Sequence, residues 1–375
     1  MTRSRNLPLS ISLGLPTDEQ LNRAEDDQFD PGLEALVYHC DRWRSLEIYG
    51  GAIWLLDDPV FYTIKGRLPL LERLKIQQIF SASDVETHYD VFSECPRLTN
   101  IHTEWPSTYT QADSLLSLLE LPWSQVRSWV LSVRDVATLL SKPCEGLERL
   151  RIDDVDADTP GNSSTDEESL VSNVSSLELV GDGKAAFLMH LLNITTFPQM
   201  STLNVTGYIS SWYSPLLNCL VHSSCTITCL SLHHDSTSGF DTNHIISLLR
   251  HTPMVRTFAL ESWALSQEFV QSFALSYEKL STPNHLLPGL KDFTLWLHRV
   301  PEVEDTAIVD ALASRWLPEP ENTQLVGATC LRDVTIKLTG PELDPQNREG
   351  FFASDLPTLR DLRVAGMRIG VVSHR

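Results

Sequence analysis

The chain is 375 residues long, enough for two average domains or one elongated repeat array, and 42% of it is apolar, which excludes wholesale disorder. Lys plus Arg number 29 against 49 Asp plus Glu, a formal net charge of −20. That balance speaks against a nucleic-acid-binding surface, which needs clustered cations to displace counterions, and against attachment to anionic lipid by charge.

At the N-terminus, Met1-Thr2-Arg3-Ser4-Arg5-Asn6-Leu7-Pro8 lacks the apolar stretch of a secretory signal. The most lipid-like segment, Ala185 to Leu192, is about half the length of a membrane span. The expected location is cytoplasmic or nuclear, with no membrane partner. On that reading the N-x-Ser/Thr sequons at Asn162, Asn173, Asn193 and Asn204 are chance matches.

In chain order, the first strand-like run is Leu7-Pro8-Leu9-Ser10-Ile11-Ser12-Leu13. A phrase of the form L-x-x-L-x-L then recurs, at Trp43-Arg-Ser-Leu46-Glu-Ile48, Leu71-Glu-Arg-Leu74-Lys-Ile76 and Leu98-Thr-Asn-Ile101-His-Thr103. Val126 to Leu131, Leu147 to Ile152, Val174 to Leu179, Met200 to Val205 and Ile227 to Leu232 follow. Val255 to Leu260, Leu290 to Leu295, Leu331 to Ile336 and Leu359 to Val364 complete the set. Eight of the eleven separations between the middle apolar residues are 26 to 28, inside the range of leucine-rich repeats. Chance supplies such phrases but not that spacing.

Alternation at the end of each phrase predicts a short strand with one apolar and one polar side. One such strand cannot bury its apolar side, so neighbours must stack. Between phrases, Gln111 to Glu120, Asp241 to Arg250, Leu265 to Leu280 and Val303 to Leu317 carry apolar residues at helical spacing, with Asp241 as a helix cap. The predicted fold is α/β: an irregular leucine-rich-repeat solenoid, a horseshoe with a parallel sheet on the concave side and helices on the convex side. It forms a single array over 1–375 with about twelve repeats. Both ends of the array look uncapped, so apolar surface is expected at its N-terminal end.

Cys40, Cys95 and Cys144 each precede the middle apolar position of their phrase by six residues, which predicts small buried hydrophobes at the turn before the strand. Seven cysteines, an odd number, argue against a disulfide framework. The wide gaps at 260–290 and 295–331 predict insertions or poorly matching repeats. Residues 153–168, DDVDADTPGNSSTDEE, read as an acidic mobile loop, and Ser164 and Thr165 there have the acidic residue three positions on that acidophilic kinases favour.

The phrases, the opening Leu7-Pro8-Leu9-Ser10-Ile11-Ser12-Leu13 and the segment His39-Cys40-Asp41-Arg42-Trp43-Arg44-Ser45-Leu46 resemble the fungal F-box-like proteins of mushroom-forming basidiomycetes. Cys95-Pro96-Arg97-Leu98 and Leu356-Pro357-Thr358-Leu359 also fit that family's habit of opening a strand with C-P or L-P. The resemblance implies the substrate receptor of a cullin-type ubiquitin ligase, in which an F-box docks on a Skp-type adaptor and the repeats hold the target. The chain departs from the family at the F-box: Leu15-Pro16-Thr17-Asp18-Glu19-Gln20-Leu21 resembles its opening, but Asn22 to Gln28 lacks the apolar pair a second helical turn needs. No F-box is identified, and adaptor binding is not expected on this sequence.

No G-x-S-x-G, H-E-x-x-H or C-x-x-C occurs, so no enzyme is predicted, and no cofactor. Gly181-Asp182-Gly183-Lys184 lacks the first glycine and the final Ser/Thr of a phosphate loop. Cys219, His222, Cys225, Cys229, His233 and His234 match no zinc spacing. Asp154, Asp156 and Asp158 alternate as in a calcium loop but lack its glycine and its final Glu.

The polar strand positions are the candidate binding surface, lining the concave face: Tyr49, Arg73, Lys75, Asn100, His102, Arg149, Arg151, Asn204, His233, Trp296 and His298. Arg73, Lys75, Arg149 and Arg151 either form a basic patch for an acidic protein partner, with Trp296 as an aromatic anchor, or are neutralised by Glu47, Glu104, Asp153 and Glu178. The expected function is a protein–protein interaction scaffold like the substrate-recognition half of an F-box receptor. The alternatives are a truncated or relic family member with no ligase role, and an enzyme with an unrecognised site.

Overall fold

A computed structural model describes residues 7–14, 31–49, 55–56, 58–77, 88–104, 119–132, 142, 144–154, 170–181, 186–207, 209–233, 241–262, 265–275, 285–298, 303–338 and 357–373. The chain divides into two compact bodies, Met1–Val174 with Lys184–Leu188 and Ser175–Gly183 with Met189–Arg375. Most of the acidic segment 153–168, with Ser164 and Thr165, lies outside the described residues, as do His234 and most of Gln111 to Glu120.

In chain order the first strands are β1 (Leu9–Gly14), β2 (Trp43–Tyr49), β3 (Arg73–Gln77), β4 (Asn100–Glu104), β5 (Ser128–Ser132) and β6 (Arg149–Asp154). Helix α1 (Pro31–Val37) precedes β2 and α2 (Pro59–Tyr62) precedes β3. Asp58 caps α2 by accepting from the Val60 and Phe61 amides, with Pro59 at the first helical position. The six strands pair in parallel in sequence order, and Ile11, Leu46, Leu74, Ile101, Trp129 and Leu150 lie side by side. All six of these side chains are buried.

The later strands are β7 (Ser176–Gly181), β8 (Thr202–Gly207), β9 (Cys229–His233), β10 (Thr257–Ser262), β11 (Asp292–Leu297), β12 (Asp333–Leu338) and β13 (Arg368–Ser373). They too pair in parallel in sequence order, aligning Leu177, Leu203, Leu230, Phe258, Phe293, Val334 and Ile369. Phe258 and Phe293 stack at 5.7 Å, adding an aromatic contact to the area they bury. The helices in between are α3 (Ala186–Ile194), α4 (Ile209–Ser223), α5 (Thr242–His251), α6 (Gln267–Phe273), α7 (Asp305–Ser314), α8 (Pro320–Val326) and α9 (Pro357–Val364). α4 packs on α5, α5 on α6, α6 on α7 and α7 on α9, so the helices of the second body follow the order of the strands.

The mixed α/β architecture and parallel pairing expected from the phrases are what the two bodies contain, and eleven of the twelve phrases are strands. The exception is Leu359 to Val364, which is helix α9. L-x-x-L is also a helical spacing, Pro357 occupies the first turn, and Leu359 and Leu362 are buried together. Gly366, at φ 103°, ends the helix with its amide bonded to the Arg363 carbonyl and the Met367 amide to that of Leu362. Strand β13 then takes the predicted place, with Ile369 beside Val334.

Asp241 caps α5 as expected, its carboxylate accepting from the Asn243 amide at 3.0 Å. Leu265 to Leu280 yields only the short α6, capped by Ser266; residues 276–280 are outside the described set.

Eight of the thirteen strands are entered through the same backbone device. The carbonyls of Cys40, Leu68, Cys95, Trp123, Cys144, Phe197, Thr252 and Leu287 accept from the amide three residues on, at a buried apolar residue. The carbonyl two residues before the middle apolar position then takes two N–H groups from the next strand: Glu72 from Thr99 and Asn100, Thr228 from Arg256 and Thr257, Lys291 from Arg332 and Asp333. Cys40 and Cys95 are buried there as predicted, while Cys144 is half-buried.

Candidate functional site

The polar positions of β2 to β6 fall into rows across the first body. One row runs Arg73, Asn100, Ser128, Arg149; the next runs Lys75, His102, Val130, Arg151. Three strand spacings separate the two ends of a row, about 14 Å. Arg73 and Arg149 are exposed and make no ion pair or hydrogen bond among the described residues. Arg151 donates to Asp153 at 2.8 Å on its own strand. Lys75 lies 5.7 Å from the centre of the Tyr49 ring, whose hydroxyl donates to Glu47. The four cations thus divide: one is neutralised by a carboxylate, one lies over an aromatic ring, and two stand unpaired.

Asn204, His233, Trp296 and His298 belong to the second body. Asn204 is flanked in register by Glu178 and Ser231 and is half-buried. The row one place further along holds Thr206, His233, Glu261, Trp296 and Lys337 on five adjacent strands. His298 follows the end of β11, its amide donating to the Ser262 carbonyl at 3.3 Å. Here the side chains converge. The Glu261 carboxylate is 2.7 Å from His233 Nδ1 and 2.6 Å from His298 Nε2. A carboxylate only accepts, so those two nitrogens carry the protons. Burial pushes the Glu261 carboxyl up, but the hydrogen bonds and charges of His233 and His298 outweigh it and hold the pKa below its ordinary value.

Trp296 sits between two of these neighbours, meeting His233 edge-on at 5.3 Å and receiving Lys337 Nζ 4.1 Å from its ring centre. The result is a locked patch of two imidazoles, a carboxylate, an indole and an ammonium, all half-buried. Sequence reasoning named His233, Trp296 and His298 but missed Glu261 and Lys337. Both stand three residues after the middle apolar position of their phrase, as do His233 and Trp296, so extending the alternation by one step finds them.

The patch sets hydrogen-bond donors, an acceptor, an aromatic ring and a cation at neighbouring positions of the sheet. Cys95 is pushed up to about 12 and Cys144 and Cys219 to about 11 by burial, which leaves those thiols protonated and poor nucleophiles at neutral pH. Among the described residues no three His, Cys, Asp or Glu side chains come together as metal ligands. No helix among them is long and apolar enough to cross a membrane.

No family model matches the sequence, and no curated protein matches it either.

Proposed function

We propose that the protein is a non-enzymatic protein-binding scaffold of leucine-rich-repeat type, akin to the substrate-recognition half of F-box ubiquitin-ligase receptors, which recognises its partner through the polar face of the sheet. One observation carries this reading. The strands pair in parallel and in register, so that one residue per strand, at a fixed offset, builds a continuous polar row with an aromatic anchor at Trp296. A half-buried Trp held by a cation on one side and an imidazole on the other loses little side-chain entropy on contact, which is what a binding hot spot requires.

Affinity capture with the tagged full chain tests this. A stable protein partner is expected, with recovery falling several-fold for Trp296→Ala. Recovery of a Skp-type adaptor and cullin marks a ligase role; an unrelated partner marks a plain scaffold. A proteome indistinguishable from background, or one insensitive to Trp296→Ala, counts against the proposal.

A further inference from the structure

The residue two places before the middle apolar position stands at the entrance to its strand, and in the two bodies this position carries different charge patterns. In the first it reads Arg44, Glu72, Thr99, Arg127, Glu148, and the charges pair: Arg44 with Glu72 at 2.8 Å, Arg127 with Glu148 at 2.5 Å. In the second it reads Ser175, Ser201, Thr228, then Arg256, Lys291 and Arg332 on three adjacent strands. Their backbones are fixed side by side: the Arg256 carbonyl accepts from the Lys291 and Asp292 amides, and the Lys291 carbonyl from those of Arg332 and Asp333. Two strand spacings place the backbones of the three residues within about 10 Å.

None of these three side chains has a hydrogen bond or ion pair among the described residues. Of the nearest carboxylates in sequence, Asp333 is bridged by Arg368, whereas Asp292 accepts only from the Thr257 hydroxyl at 3.2 Å and offsets one of the three charges. Like charges directly opposite on neighbouring strands repel. Three cations in one line against the single carboxylate of Asp292 leave a local excess of positive charge among the described residues, and an anionic partner would relieve their repulsion.

Beside Arg332 lies an open groove of about 440 Å3 whose lining includes Leu317, Pro318, Pro320 and Ala328 together with the polar Thr323 and Gln324 and Arg332 itself. We propose that this rim binds an acidic peptide segment of a partner protein, its carboxylates along Arg256, Lys291 and Arg332 and a neighbouring apolar side chain in the groove. The proposal rests on the scaffold reading and names its partner's chemistry. A net charge of −20 repels the extended phosphate array of a nucleic acid or an anionic bilayer, whereas a short acidic segment meets only the local field.

Fluorescence anisotropy of the purified full chain tests it, with a labelled peptide of two leucines followed by four glutamates. The triple variant Arg256→Gln, Lys291→Gln, Arg332→Gln is expected to bind about tenfold or more weakly, with a flatter salt dependence and a Tm no lower than the parent's. Arg250→Gln, which removes an exposed cation at the end of α5, is expected to leave the affinity unchanged. Equal binding by the triple variant, equal binding of the peptide with glutamines in place of glutamates, or tighter binding of a single-stranded oligonucleotide would each overturn the proposal. No cell extract enters this assay. Loss of the rim with partner capture intact therefore sinks the rim alone, and failed capture with peptide binding intact sinks the polar-face reading alone.

Discussion

Arg315 is 1% exposed and has no carboxylate partner among the described residues. Its guanidinium instead donates to three carbonyls, those of Phe273 at 2.7 Å, Leu287 at 3.1 Å and Leu286, and lies 4.2 Å from the centre of the Phe273 ring. Burial pulls its pKa down to about 9, which still leaves it charged at neutral pH. It also secures the turn at Leu287, a non-glycine residue at φ 50°. Arg315→Met is expected to cost about 3–5 kcal/mol in urea denaturation, because three buried acceptors lose their donors. Arg315→Lys should recover under half, since one ammonium lacks the planar reach. Nothing in the sequence marks this residue: a cation just after a helix is ordinary, and its acceptors come from segments 28 to 42 positions away. Glu261 gives the pH prediction. A carboxyl held below its ordinary 4.5 stabilises the fold above that pH, and the contribution is lost as pH falls through the lower folded value. Glu261→Gln should therefore cost about 1–2 kcal/mol at pH 7, and the gap in Tm between variant and parent should close in acid. A gap that widens on acidification would contradict the assignment.

Single elements were legible where two signals agreed. Thr242–His251 shows a 3.6-residue apolar rhythm and an acidic cap, and it folds as read. Leu359 to Val364 satisfies both the strand phrase and a helical stripe; the phrase alone misleads, and the deciding signals are Pro357 before it and Gly366 after it. Helix α6 stops at Phe273 although apolar residues continue, because Ala274 turns to extended backbone and Leu275 donates its amide to the Ser314 hydroxyl of the next helix. Such a contact between distant segments leaves no local trace. At the ends of β7 and β8, Gly181 and Gly207 are register partners, and a Cβ on Gly207, at φ 123°, would overlap the Gly181 carbonyl oxygen. Gly207→Ala is accordingly expected to lower stability by about 2–4 kcal/mol, read as a drop in thermal midpoint, whereas at Gly14 no atom stands within 4 Å of a new Cβ and the same change should be near neutral.

For the molecule as a whole, periodicity located the strands, their direction and their neighbours, because parallel pairing in chain order makes one apolar column from one residue per phrase. The candidate surface was half legible. Alternation assigns residues to the polar face, but whether a cation there is paired depends on rotamers: Arg151 turns to Asp153, and Arg73 does not. The unpaired line at Arg256, Lys291 and Arg332 becomes visible only once the register is known, since those residues are separated by 35 and 41 positions.

The forked hydrogen bonds that open most of the strands bear on how such a chain tolerates change. Alignment is dictated by a neighbour's carbonyl, so the length of chain travelled between two strands is left unconstrained. The middle apolar residues of β5 and β6 are 21 positions apart and those of β11 and β12 are 41 apart, yet both pairs line up identically. A gene of this design can gain or shed stretches in the connections, and so reshape what the exterior displays, while every flanking row keeps its place.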